Sequence, residues 1–116
     1  MPKDFPRALR VAEQIRRELV VLLRDNVHDP RVKDFLVTEV VVTKDLSSAK
    51  VYFTPYADNE ELSQLQEGLD SCAAYLRREL GKLLHMRVIP NLSFHYDDTS
   101  EKSARLDEIL SKEKSD

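Results

Sequence analysis

The spacing of hydrophobic residues changes several times along this chain, and the order of these changes limits the folds that it can adopt. Between Arg7 and Asn26 apolar residues recur at spacings of three and four, which predicts a helix with one buried stripe. The segments Phe35–Thr43 and Ala49–Thr54 are rich in β-branched residues or alternate in polarity, and residues 44–47 between them predict a turn. The chain therefore begins as a helix followed by a β-hairpin.

The second half of the chain returns to the helical period and then leaves it again. Leucines in residues 62–69 predict a second helix, which we expect to start near Asn59. The apolar register continues from Leu76 to Leu84 after residues 71–74, and we interpret this part as a third helix. From Val88 to Tyr96 the period becomes two, which predicts a third strand.

The order helix-strand-strand-helix-helix-strand predicts an α+β domain over residues 1–98. We expect a three-stranded sheet that carries its helices on one face. Residues 99–116 follow Asp98, a plausible helix cap with Glu101 three residues later, and predict a short C-terminal helix with a flexible tail.

Length and composition narrow the class of protein. A chain of 116 residues has the size of one domain with one core. The single Cys72 cannot form an internal disulfide, no secretory signal is visible, and no apolar run approaches the roughly 20 residues of a membrane span. We therefore expect a protein of the reducing cytoplasm, not a membrane protein. Separately, we expect it to be a monomer.

A local excess of positive charge stands out on a chain whose net charge is −3. Residues 75–95 hold four basic residues and one acid, whereas residues 96–116 hold seven acids and four bases. A second basic row follows the outer face of the first helix at Arg10, Arg17 and Arg24. Either group is compatible with an ordinary solvated helix face, and either could meet a polyanion.

Three stretches resemble the ribosome-binding factor A family: "DPRVKDF", "VTKDLSSAKVYFT" and "AAYLRRELGKLLHMRVIPNLSFHYDDT". The resemblance covers about residues 5 to 110. It implies a K-homology-like fold of type II and a factor that assembles the small ribosomal subunit. Such a factor binds the immature 30S subunit and its rRNA, assists maturation of the 5′ end of 16S rRNA, acts without catalysis and contributes to cold adaptation.

The resemblance also gives the basic residues a role. We expect the group in residues 75–95 to contact rRNA phosphates, and a second set to extend that contact, although a solvated surface is at least as good an interpretation of the second set. The first group is Arg77, Arg78, Lys82 and Arg87, and the second is Arg10, Arg17, Lys44 and Lys50.

Where standard K-homology domains place a Gly-x-x-Gly loop, the family resemblance implies a kink built on Ala-x-Gly between the second and third helices. The matching residues are Cys72, Ala73 and Ala74. Because a positive φ strains a residue other than glycine by about 1 kcal/mol, we expect a shallower bend that keeps φ negative at Ala74.

Other functions have weak support. His28 beside Asp29, and His95 near Asp97 and Asp98, lack a further ligand at metal-binding spacing, and no Gly-rich phosphate loop is present. We expect no catalytic residue, metal or cofactor. The alternative is a protein–protein adapter without direct RNA contact, which would present the acidic residues 58–70 and the C-terminal helix to another protein.

Overall fold

The computed structural model describes residues 5–56 and 61–98. The expected C-terminal helix and tail, and the helix start near Asn59, lie outside these residues. The elements run in the order helix, strand, strand, helix, strand. They are α1 Phe5–Asp25, β1 Phe35–Val42, β2 Ser48–Pro55, α2 Leu62–Leu84 and β3 Asn91–Tyr96.

The three described strands form one mixed sheet in the order β1-β2-β3. β1 and β2 are an antiparallel hairpin, whereas β2 and β3 are parallel, because α2 carries the chain back across the sheet between them. Ala49 lies opposite Leu92 and Val51 opposite Phe94 in the parallel register. This register directs the apolar residues of both strands to one face and leaves Lys50 on the other.

Both helices pack on that apolar face around a single core. α1 lies mainly against β1, and α2 lies mainly against β3. The predicted α+β class, with helices on one face of a three-stranded sheet, is confirmed. The most deeply buried side chains of these elements come from both helices and from β2: Ile15, Leu19, Val51, Phe53, Leu69, Leu76 and Leu80.

The predicted division of the second helical region into two helices is wrong. α2 is one helix of 23 residues, and Cys72, Ala73 and Ala74 lie inside it. Alanine is the strongest helix former, and the buried stripe continues through this segment at helical spacing, so nothing local favours a break. Among the described residues only Asp34, Leu46 and His85 have positive φ, which confirms the expectation that φ stays negative at Ala74.

The third strand begins later than its sequence pattern indicates. It starts at Asn91, and Val88, the first residue of the predicted strand, is 64% exposed. The α2 helix ends at Leu84, and its C-cap residue His85 has a left-handed conformation with φ 53. The buried Pro90 lacks an N–H group and limits pairing of the segment before it. Residues 85–90 therefore form a turn that reverses the chain beside α2.

The loop between α1 and β1 is held by an internal ion pair and packs on the middle of α2. Arg31 donates to both carboxylate oxygens of Asp29, the shortest contact being 2.7 Å, and these hydrogen bonds lower the pKa of Asp29 to about 2. Gly68 lies beneath the loop: a Cβ there would be 2.7 Å from Val32 Cγ2. A larger residue would have to displace Val32, so glycine suits this contact despite its cost of about 1 kcal/mol inside a helix.

Candidate nucleic-acid interface

The C-terminal half of α2 and the 85–90 turn together form an open depression. Arg77 and Arg78 come from the helix, and the left-handed His85 reverses the chain so that Arg87 lies beside them. The volume is about 480 Å³, and we call this feature the α2 depression. It is lined by Ala74, Arg77, Arg78, Gly81, Arg87, Val88 and Ile89.

The three arginines of the α2 depression have no carboxylate partner among residues 5–56 and 61–98. Arg77 instead donates from Nε and Nη2 to the carbonyl oxygen of Ile89, at 3.1 and 2.9 Å. Arg78 and Arg87 are exposed. The depression therefore combines uncompensated positive charge with fork-shaped donors that suit phosphate oxygens.

Lys82, the fourth member of the predicted group, differs from the arginines. It does not line the α2 depression. Its Nζ lies 3.0 Å from Glu79 Oε2, although the side chain remains well exposed. An exposed ion pair of this kind contributes little energy and can exchange for a phosphate contact.

The basic row on α1 is largely compensated by its own helix. Arg16 and Arg17 share Glu13, at 2.7 and 3.3 Å, and Arg24 pairs with Asp25 at 2.8 Å. The hydrogen bond from Arg16 is the main cause of a lowered pKa at Glu13. Arg10 has no ion pair within the described part of the chain, but neither it nor Arg17 lines the α2 depression.

The two predicted lysines lie elsewhere. Lys44 is in the β1–β2 turn and lines a separate groove between α1 and β1 with Leu9 and Val41. Lys50 lies on the sheet face away from the helices, opposite Val41 and Ser93 in the neighbouring strands. The structure therefore brings three of the eight predicted residues together in one depression.

Sequence reasoning missed the apolar floor of the α2 depression. Gly81 belongs to this floor and packs closely on the turn, since a Cβ there would be 3.2 Å from Ile89 Cγ1. The sequence signal was a glycine inside a helix whose register otherwise continues, but its partner eight residues later was not predictable before the turn was known.

Alternative chemistry gains no support from the described residues. The Cys72 thiol contacts the carbonyl oxygen of Leu69 at 3.3 Å, and burial raises its pKa, which disfavours the thiolate that a nucleophile needs. In the described ranges no group of three or more His, Cys, Asp or Glu residues could hold a metal ion. None of the helices described is long and apolar enough to cross a membrane.

Comparison with known proteins identifies close sequence relatives. A family model for ribosome-binding factor A matches residues 7–110. The ribosome-binding factor A of Thioalkalivibrio sulfidiphilus is 46% identical over 97% of this chain and 87% of its own length. The protein of the same name from Aromatoleum aromaticum is 44% identical over 95% of this chain and 87% of its own length.

Solved structures of proteins with this name share the fold. The crystal structure of ribosome-binding factor A from Thermus thermophilus has a TM-score of 0.68 at 24% identity, covering 77% of this chain and 93% of that chain. A Thermus thermophilus homology model fitted into a cryo-EM map of its 30S complex has a TM-score of 0.62 at 26% identity, covering 76% and 92%. On the family match and the identity of its relatives, this chain belongs to the ribosome-binding factor A family.

Proposed function

We propose that this protein is a non-catalytic assembly factor that docks on the immature small ribosomal subunit through the α2 depression. Arginines of the depression contact rRNA phosphates, and the bound protein assists maturation of the 5′ end of 16S rRNA and supports growth in the cold. It acts as a monomer in the cytoplasm. Family membership and the Thermus relative fitted into a 30S complex support this proposal.

One observation carries the assignment of the docking surface. The three arginines of the α2 depression face one concave surface and have no carboxylate partner in the described residues, whereas three arginines of α1 are paired with acids of their own helix. Charges that are already neutralised gain less from a phosphate than charges that are not. The depression is therefore the favoured site for a polyanion.

The net charge of −3 limits the kind of RNA target. A few phosphate contacts give weak and salt-dependent affinity, and domains that bind free RNA are usually basic throughout. Recognition of a folded particle, in which shape adds to charge, fits this protein better than binding to loose RNA.

Sedimentation against separated subunits and whole ribosomes tests this proposal. Tagged protein should migrate with free small subunits and not with large subunits or whole ribosomes. Nuclease treatment of the captured complex should release the protein, because the proposed contacts are to RNA. Retention of one main protein partner after nuclease treatment would favour the adapter alternative and contradict docking on rRNA.

The maturation role requires a separate measurement in cells. Depletion of the protein at low temperature should cause 16S rRNA with an extended 5′ end to accumulate, and primer extension would detect it. Normal 5′ ends together with unimpaired growth in the cold would contradict this part of the proposal.

A further inference from the structure

Arg77 makes hydrogen bonds that the other two arginines of the α2 depression do not make in the described residues. Its Nε and Nη2 groups, which share one edge of the guanidinium, both donate to the carbonyl oxygen of Ile89, twelve residues later in the chain. These two hydrogen bonds join the last turns of α2 to the segment that precedes β3. Arg78 and Arg87 have no such bond to the backbone among the described residues.

The backbone of the turn that receives these bonds makes few other hydrogen bonds in the described residues. In the part of the chain that the structure describes, no backbone–backbone hydrogen bond outside the helices and strands involves residues 86–90. Val88 and Arg87 are exposed, and His85 has a left-handed conformation that is unfavourable for a residue other than glycine. The turn is held by Pro90, by the packing of Met86 and Ile89 against the core, and by Arg77.

We propose that Arg77 is a positioning residue for RNA docking. It holds the 85–90 turn so that Arg87 faces the α2 depression beside Arg78, and Arg78 and Arg87 make the phosphate contacts. This inference rests on the proposed function, because it divides the roles within the proposed docking surface. It differs from the uniform expectation that each of these arginines contacts a phosphate.

A double-mutant cycle on binding to small subunits tests this division of roles. Arg87→Ala should lower the affinity about tenfold, the cost of one charge-assisted hydrogen-bonding group. Arg77→Ala should lower it by a similar factor through the loss of the Arg87 position. The combined variant should then remain within about twofold of Arg87→Ala alone, because residues that act as one unit are not additive.

The salt dependence of binding gives a second reading of the same variants. Each single variant should reduce the slope of log affinity against log salt by the equivalent of about one phosphate contact. The combined variant should reduce the slope by the same amount. If Arg77 contacts its own phosphate, the combined variant should lose about 100-fold in affinity and about two contacts in slope. That outcome would overturn the positioning role.

Backbone relaxation in the unbound protein tests the same role without RNA. Arg77→Ala should lower the order parameters of Arg87 and Val88 from about 0.85 towards 0.6 or less, whereas the control Arg78→Ala should leave them unchanged. Arg77→Gln, which keeps a polar helix surface but is too short to reach Ile89, should behave like Arg77→Ala. An ordered turn in both Arg77 variants would contradict the inference.

Subunit binding and the backbone order of the turn together separate failure of this inference from failure of the proposed function. If Arg78→Ala and Arg87→Ala both leave subunit binding unchanged, the docking surface is wrong, even if the turn loosens in Arg77→Ala. If those variants weaken binding while Arg77→Ala leaves the turn ordered, the docking surface is supported and the positioning role of Arg77 is contradicted.

Discussion

Replacing both Arg78 and Arg87 by glutamate should lower the affinity for small ribosomal subunits by at least about 100-fold. Each arginine is expected to make a charge-assisted hydrogen bond to phosphate, worth about 1.5 to 3 kcal/mol, and every 1.4 kcal/mol is about tenfold in affinity. Glutamate adds repulsion to this loss. Because both side chains are exposed and have no ion pair among the described residues, their reversal should leave the thermal melt unchanged.

A matched pair of arginines on α1 provides the control for this reversal. Arg16→Glu with Arg24→Glu changes the net charge by the same amount, but Arg16 is paired with Glu13 and Arg24 with Asp25. Sedimentation with small subunits should be retained by this variant and lost by the Arg78 and Arg87 variant. Equal loss in both would indicate a general charge effect, and loss in the α1 variant alone would place the contact on α1.

The largest expected effect on stability is that of Phe53→Ala, which should lower the free energy of unfolding by about 3 to 5 kcal/mol. Phe53 is completely buried in β2, the middle strand of the sheet, and its ring makes edge contacts with Phe35 and Tyr96 at centroid distances of 6.3 Å. Domains are stable by about 5 to 15 kcal/mol, so the variant should lose a large part of its stability. Urea denaturation followed by circular dichroism measures this loss.

Lys50→Ala is the matched control for Phe53→Ala. Lys50 lies in the same strand but is exposed on the opposite face of the sheet, so its truncation should change the free energy of unfolding by less than about 0.5 kcal/mol. A loss of under about 1 kcal/mol at Phe53 would mean that the core is not centred between β2 and the two helices.

The periodicity of the sequence was sufficient to predict the layers of this fold. The stripe containing Ile15 and Leu19 has the spacing of a one-sided helix, and Ala49, Val51 and Phe53 alternate as one face of a strand requires; all five are buried in the structure. These patterns are reliable because burial of apolar surface determines them residue by residue. Pairing and element order then follow from a small number of possible connections.

The unbroken α2 helix and the late start of β3 were not predictable in the same way. A helix that continues through Cys72–Ala74 and one that breaks there can keep the same apolar register, so periodicity does not distinguish them. At the other end, Val88 fits the strand alternation, yet the left-handed His85 and the buried Pro90 place it in a turn. Local backbone geometry determines both the continuity of α2 and the start of β3, and the hydrophobic pattern does not contain this information.

The sequence predicted the excess of basic residues at the candidate site but not how these residues are arranged in space. The excess of basic residues in 75–95 was visible, but its division into a depression with three arginines and a peripheral, ion-paired Lys82 depends on the path of the 85–90 turn. The bond from Arg77 to Ile89 likewise joins residues twelve positions apart, and no local pattern indicates it. Contacts of this kind appear only when the three-dimensional path of the chain is known.

Site-specific photocrosslinking can show whether the α2 depression contacts rRNA on the small subunit. A photoreactive residue would replace Ala74, an exposed lining residue of the depression, and in a parallel variant Val21, which is exposed on α1. We expect irradiation of the complex with small subunits to give a nuclease-sensitive crosslink to 16S rRNA from position 74 and little from position 21. Crosslinks to 16S rRNA from position 21 alone, or from position 74 only to protein, would contradict the claim.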